Sequence, residues 1–159
     1  MPKIKSCDWK SAIAFELSLH KGKGFIYDKS QADYLNWIPY EFCLTVEKNK
    51  YILKNMTLSL EGIKTFLHRL QSVIEERSVT KKYEEYEYCG CEAEFAIYMQ
   101  NMDDHYEYEI VHIKLWINAA CLESTVGGYL IGFDFIIKYE DLQIFTEELR
   151  KELSEIIGC

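Results

Sequence analysis

The chain carries one local pattern twice, and this repetition limits its possible folds more than any other feature. Residues 51–70 read as a strand running directly into an amphipathic helix, and so do residues 130–149. When the two are superposed, Leu58, Ile63, Phe66 and Leu70 fall on Ile137, Leu142, Phe145 and Leu149. A helix with one apolar stripe must bury it, and the strands that precede both helices imply that each lies on a sheet.

The remaining periodicities supply those strands. In residues 11–19, Ile13, Phe15, Leu17 and Leu19 alternate with Ala12, Ala14, Glu16 and Ser18, the period of a half-buried strand. Phe42, Leu44 and Val46 alternate next, and Lys48-Asn49-Lys50 offers a short polar connection to residues 51–58, which predicts a hairpin. The stretch 28–39, with Tyr34, Trp37 and Tyr40 at its end, reads as irregular. Ser59 is placed to cap a helix ending near Arg77. A charged link, 78–87, leads to a strand in which Cys89, Cys91, Ala93, Phe95, Ile97 and Met99 share one face, opposite Glu92, Glu94 and Tyr98. Val111 to Ile117 and Tyr129 to Ile137 alternate likewise, separated by a turn at Gly127-Gly128, and the last helix is predicted over 139–156. Because the helices follow hairpins, the order predicts an α+β fold: about six twisted antiparallel strands and two amphipathic helices. The expected organisation is one domain over 1–159, built as β-β-β-α half-repeats at 11–77 and 86–157.

Composition narrows the classes of function. The formal charge is −8, from 26 acidic and 18 basic side chains. Such a surface repels phosphate backbones and attracts a basic protein, so the expected partner is a basic protein and not nucleic acid. No stretch approaches the roughly 18 uninterrupted apolar residues of a membrane span, and no apolar run follows the first ten residues as in a signal peptide, so a cytoplasmic protein without membrane contact is expected. The six cysteines, Cys7, Cys43, Cys89, Cys91, Cys121 and Cys159, are then expected to be reduced thiols.

No constellation of residues specifies a reaction, a metal or a cofactor. Cys89-Gly90-Cys91 lacks the commoner spacer of a zinc site and has no second cysteine pair to answer it, so buried thiols are expected. The histidines His20, His68, His105 and His112 show no metalloprotease-like spacing, and His112 shares a strand face with Lys114 and Trp116. Glu92 and Glu94 lie on one strand face, where a carboxylate pair can do acid–base work, although solvated or cross-strand-paired acids are the commoner case. Gly127, Gly128 and Gly132 lack the lysine and helix start of a phosphate loop.

The strongest functional signal is a tyrosine-rich, acidic dressing. Tyr83, Glu84, Glu85, Tyr86, Glu87 and Tyr88 form one segment; Asp103, Asp104, Tyr106, Glu107 and Tyr108 form another, and the two are expected to meet. Tyrosine offers a large rigid contact at low entropic cost, and carboxylates steer a basic partner onto it. These residues are the expected partner-binding set of a non-catalytic protein-binding module. The alternative is a small-molecule or peptide-binding domain with Trp37, Tyr40, Trp116 and Tyr129 lining a cleft.

Residues 33–38 (Asp-Tyr-Leu-Asn-Trp-Ile) precede a hairpin and a helix. A strand with Glu92 and Glu94, two long strands and a helix opening on Glu140-Asp141-Leu142-Gln143-Ile144-Phe145 then follow. In this order the features resemble the WapI-type immunity proteins, small bacterial cytosolic proteins that protect a cell from its own contact-dependent toxin. The resemblance covers most of the chain from about Ile13, and departs from the family at Glu61-Gly62, where an Asp-Leu pair would be expected. It implies an immunity or antitoxin protein that occludes the basic surface of a toxin.

Overall fold

In a computed structural model, which describes residues 1–7, 12–21, 25–89, 94–101, 109–122 and 130–158, the chain is α+β with eight strands and two helices among those residues. Strands β1 (Lys3–Lys5), β2 (Ile13–Leu19), β3 (Trp37–Val46) and β4 (Asn49–Ser59) form one antiparallel sheet and lead into α1 (Leu60–Thr80). Strands β5 (Tyr86–Cys89), β6 (Phe95–Gln100), β7 (Ile110–Asn118) and β8 (Leu130–Lys138) form the second and lead into α2 (Tyr139–Ile157). In both sheets, neighbours in sequence are neighbours in space. The repeat unit is therefore β-β-β-β-α, one strand longer in each half than the sequence pattern suggests.

The repeat register holds at the level of side chains. α1 starts two residues after Leu58 and α2 two residues after Ile137. All four superposed pairs (Leu58/Ile137, Ile63/Leu142, Phe66/Phe145, Leu70/Leu149) are buried. Ser59 caps α1 by accepting a hydrogen bond from the Gly62 N–H at 3.1 Å. A Cβ at Gly62 would lie 3.1 Å from Ser59 Oγ, so the glycine leaves room for the cap. Replacing Ser59 by alanine is expected to cost about 1 kcal/mol in denaturant unfolding, the usual worth of an N-cap.

Each helix reaches across to the other half. The α1 ring of Phe66 packs 4.6 Å from the ring of Tyr88 on β5, and the α2 ring of Phe145 packs 5.2 Å from Phe15 on β2. Near its C-terminus, Glu152 of α2 accepts hydrogen bonds from Leu19 N (2.8 Å) and Ser18 Oγ (3.2 Å) at the end of β2. The helices touch each other as well, Tyr139 Oη donating to the Ile74 carbonyl at 2.5 Å. Between the sheets, Phe42 of β3 stacks on Phe95 of β6, centroids 5.0 Å apart, and Phe15 and Tyr88 extend the aromatic row on either side. One hydrophobic cluster thus draws on both sheets and both helices.

Three departures from the sequence expectations have local causes. β3 begins at Trp37, inside the stretch read as irregular, because Ile38 and Tyr40 continue the buried face of Phe42 and Leu44. β4 carries a bulge: its register with β3 shifts between Tyr40 and Phe42, and Asn55 takes a left-handed φ of 59°. The extra residue lets Leu53 and Leu58 both face the core although their positions differ in parity. The run read as one strand through residues 89–99 is a hairpin of β5 and β6, pairing Tyr88 with Ile97 and Cys89 with Ala96. Tyr86 and Tyr88 point inward before the reversal and Phe95, Ile97 and Met99 after it, so Cys89 is exposed instead of lying on the apolar face.

The stretch 28–36 is also held by side-chain hydrogen bonds. Asn36 is buried; its Oδ1 accepts from Asp28 N (3.0 Å), and its Nδ2 donates to the carbonyls of Asp28 (3.2 Å) and Ala32 (3.4 Å). Hydrogen bonds from the Ser30 hydroxyl and backbone N–H hold the Asp28 carboxyl below its ordinary pKa. Asp33 pairs with Lys64 of α1 at 2.6 Å. Asn36 and Asp33, part of the family-like motif, thus tie this loop together and to the start of α1. Among the described residues, no helix is long and apolar enough to cross a membrane.

Candidate protein-binding face

The segment 83–88 follows α1 and includes most of β5, and its burial pattern divides its residues into two sets. The rings of Tyr83, Tyr86 and Tyr88 are only 6%, 8% and 7% exposed, whereas Glu84, Glu85 and Glu87 face solvent. This corrects the expectation that the three tyrosines are surface anchors. Tyr88 packs between Phe66 and Phe95, and Tyr83 Oη donates to the Gln100 carbonyl. Tyrosine is amphipathic, so a ring beside two carboxylates on a strand reads equally well as an interface anchor or as core with a hydrogen-bonded tip. Cross-sheet packing decides between them, and the local sequence does not encode it.

The same burial gives the carboxylates a rigid base. Glu84 is fixed through its backbone N–H, which donates to Glu76 Oε2 at 2.7 Å, and its side chain lies 3.7 Å from Arg69. Glu85 accepts from Tyr98 Oη at 2.9 Å, and this bond raises the pKa of the Tyr98 phenol, with smaller contributions from desolvation and then from the charges of Glu85 and Glu87. Glu87 sits directly across from Tyr98 in the β5–β6 ladder. At the end of β6, Asn101 joins the same corner, its Nδ2 donating to the Tyr83 carbonyl at 2.5 Å and its Oδ1 accepting from Tyr83 N at 3.2 Å. Asp103, Asp104, Tyr106, Glu107 and Tyr108 lie outside the described residues.

Tyr86 is a special case within this base. Arg69 lies over its ring, 5.8 Å from the centroid, and the Tyr86 hydroxyl is buried without a hydrogen-bond partner among the described residues. Burial raises the phenol pKa, and the Arg69 charge opposes that shift. A buried hydroxyl that makes no bond costs free energy that a phenyl ring does not. Tyr86→Phe is therefore expected to leave the protein as stable as before or to stabilise it by about 1 kcal/mol, read as a shifted urea midpoint at constant m-value.

The outer face of the second sheet adds residues that the sequence pattern had not joined. A row across the strands runs Glu87, Tyr98, Lys114, Asp134. His112, on the same face, contacts Asp134 through Nε2. The Trp116 ring, 40% exposed, covers Gly132 of β8, where any Cβ would collide with it. Only the cross-strand register brings these residues together.

The other sequence candidates fare differently. Glu94 is 2% exposed at the threshold of β6, not on a solvated face; Glu92 lies outside the described residues. Glu94 is thus not half of an exposed carboxylate pair. Of the residues expected to line an aromatic cleft, Tyr40 is in the core against the Phe95 ring, and Trp37 and Trp116 belong to different sheets. Tyr129 and Cys91 lie outside the described residues. Sequence reasoning missed an open groove of about 580 Å³ where the end of α2 meets the loop after β2, lined by Lys21, Phe25, Tyr27, Lys29, Ile156 and Ile157.

No protein-family model matches the chain, and no curated protein matches it. Among solved structures it is similar to the plant transcriptional regulator PBF-2, with a TM-score of 0.46 and 10% identity over 98% of this chain and 81% of that one. A likeness at that level carries no functional inference.

Proposed function

We propose that the chain is a non-catalytic protein-binding module of the immunity or antitoxin type, whose acidic face covers a basic surface of a toxin. The observation that carries this reading is the fixed presentation of Glu84, Glu85 and Glu87 above the buried Tyr83, Tyr86 and Tyr88. Carboxylates on backbone tied down by the Glu84 N–H bond and the β5–β6 ladder lose little entropy when a cationic surface docks, and the −8 charge of the chain speeds the approach. A toxin that acts on nucleic acid needs a basic cleft, so an acidic lid on that cleft excludes the substrate. This mechanism accords with the resemblance to WapI-type immunity proteins. A small-molecule or peptide-binding role has the groove at the end of α2 as its structural support, where Phe25, Ile156 and Ile157 line it together with Lys21 and Lys29.

The test is co-expression with the product of the neighbouring gene, taken as the candidate toxin. The reading expects the two proteins to co-purify and the cells to survive toxin expression. Survival without this chain, or a toxin that shows no association with it, would count against the reading.

A further inference from the structure

We infer that β8 is a self-association edge, through which two copies of the chain pair antiparallel and join their second sheets into one. A sheet edge exposes unpaired N–H and C=O groups, and proteins normally blunt it by shortness, charge, bulges or cover. Three of the four edges among the described residues are treated in this way. β1 has three residues and β5 has four. β4 carries Lys50, Lys54 and the left-handed bulge at Asn55.

β8 is neither short nor bulged, and Asp134 is its one charge before the covered end. It has nine residues, Leu-Ile-Gly-Phe-Asp-Phe-Ile-Ile-Lys, without proline or register shift. Its far end is covered, Ser6 bridging to Ile137 and Cys7 N donating to the Ile136 carbonyl at 2.9 Å. That bond also fixes the polarity of the edge. The Ile136 carbonyl points away from β7, so by alternation along the strand the N–H and C=O groups of Leu130, Gly132 and Asp134 point away too. No described residue pairs with them. Leu130 is 59% exposed.

The edge suits a second copy of itself. With a twofold axis at Gly132, the two glycines exchange hydrogen bonds, Ile131 meets Phe133 of the second copy, and Leu130 meets Asp134 of the second copy, twice by symmetry. Asp134 is the only charge between Leu130 and Ile137, and its own partner is His112, so no like charges face each other. Two β4 edges would instead bring together strands that each carry Lys50 and Lys54.

Sedimentation velocity over a wide concentration range, with amide hydrogen exchange on the same samples, tests this. The unaltered chain should pass from monomer to dimer, and the amides of Leu130, Gly132 and Asp134 should gain protection as it does. Leu130→Asp places like charges opposite Asp134 twice and should weaken the dimer about tenfold, whereas Leu130→Lys places opposite charges there and should keep or tighten it. Val79, 82% exposed on α1, is the control for net charge: Val79→Asp and Val79→Lys should leave the dimer within about twofold. A monomer at every soluble concentration overturns the inference. So do equal effects at positions 79 and 130, or edge amides that are protected only in a complex with a different protein.

Discussion

Phe95→Ala is expected to lower the unfolding free energy by about 3–5 kcal/mol, the range for a fully buried phenylalanine. Phe95 is 1% exposed and its ring touches three others: Phe42 at 5.0 Å, Tyr40 at 5.9 Å and Tyr88 at 5.9 Å. Two of these belong to the opposite sheet, so the truncation opens a cavity at the junction of the halves, where neither sheet can collapse to fill it. The cost should lie at the upper end of the range, because ring pairs contribute about 0.5–1.5 kcal/mol beyond burial. Chemical denaturation at fixed m-value reads it. A loss under about 1 kcal/mol would mean that the sheets do not meet at this ring.

Phe66→Ala and Phe145→Ala should each cost about 3–5 kcal/mol, and the two losses should be similar. They occupy equivalent places in the repeat, and each packs on a ring of the other half, Phe66 on Tyr88 of β5 at 4.6 Å and Phe145 on Phe15 of β2 at 5.2 Å. Each substitution loosens a helix from the strands of the other half, so unfolding monitored by helix content and by tyrosine fluorescence should stay coincident in both variants. Separate transitions would show that one half survives without the other, contrary to a shared core.

The strand–helix junctions were legible in the sequence because period and capping agree there: Ser59 marks the start of α1, and the apolar spacing of Leu142, Phe145 and Leu149 marks the buried face of α2. β1 was not legible, since Lys3-Ile4-Lys5 holds one inward residue and gives no period to read. The β5–β6 reversal and the Asn55 bulge both change the parity of inward positions within a run, and a simple alternation template passes over such changes. The candidate face was half legible. Glu84, Glu85 and Glu87 are exposed as their type suggests, whereas the burial of Tyr83, Tyr86 and Tyr88 depends on Phe66, Phe95 and Gln100, which are distant or across a hairpin. The row of Glu87, Tyr98, Lys114 and Asp134 required the register of three strand pairs.

The most direct test of the acidic-capture reading is the association rate constant for the co-purifying toxin, measured at low and at moderate salt. The comparison is between the unaltered chain and a variant with Glu84, Glu85 and Glu87 all replaced by lysine, whose fold is verified by circular dichroism. The proposed mechanism predicts that the variant associates at least about tenfold more slowly at low salt, and that added salt narrows the difference while dissociation changes less. Equal association rates for the two proteins at both salt concentrations would contradict it.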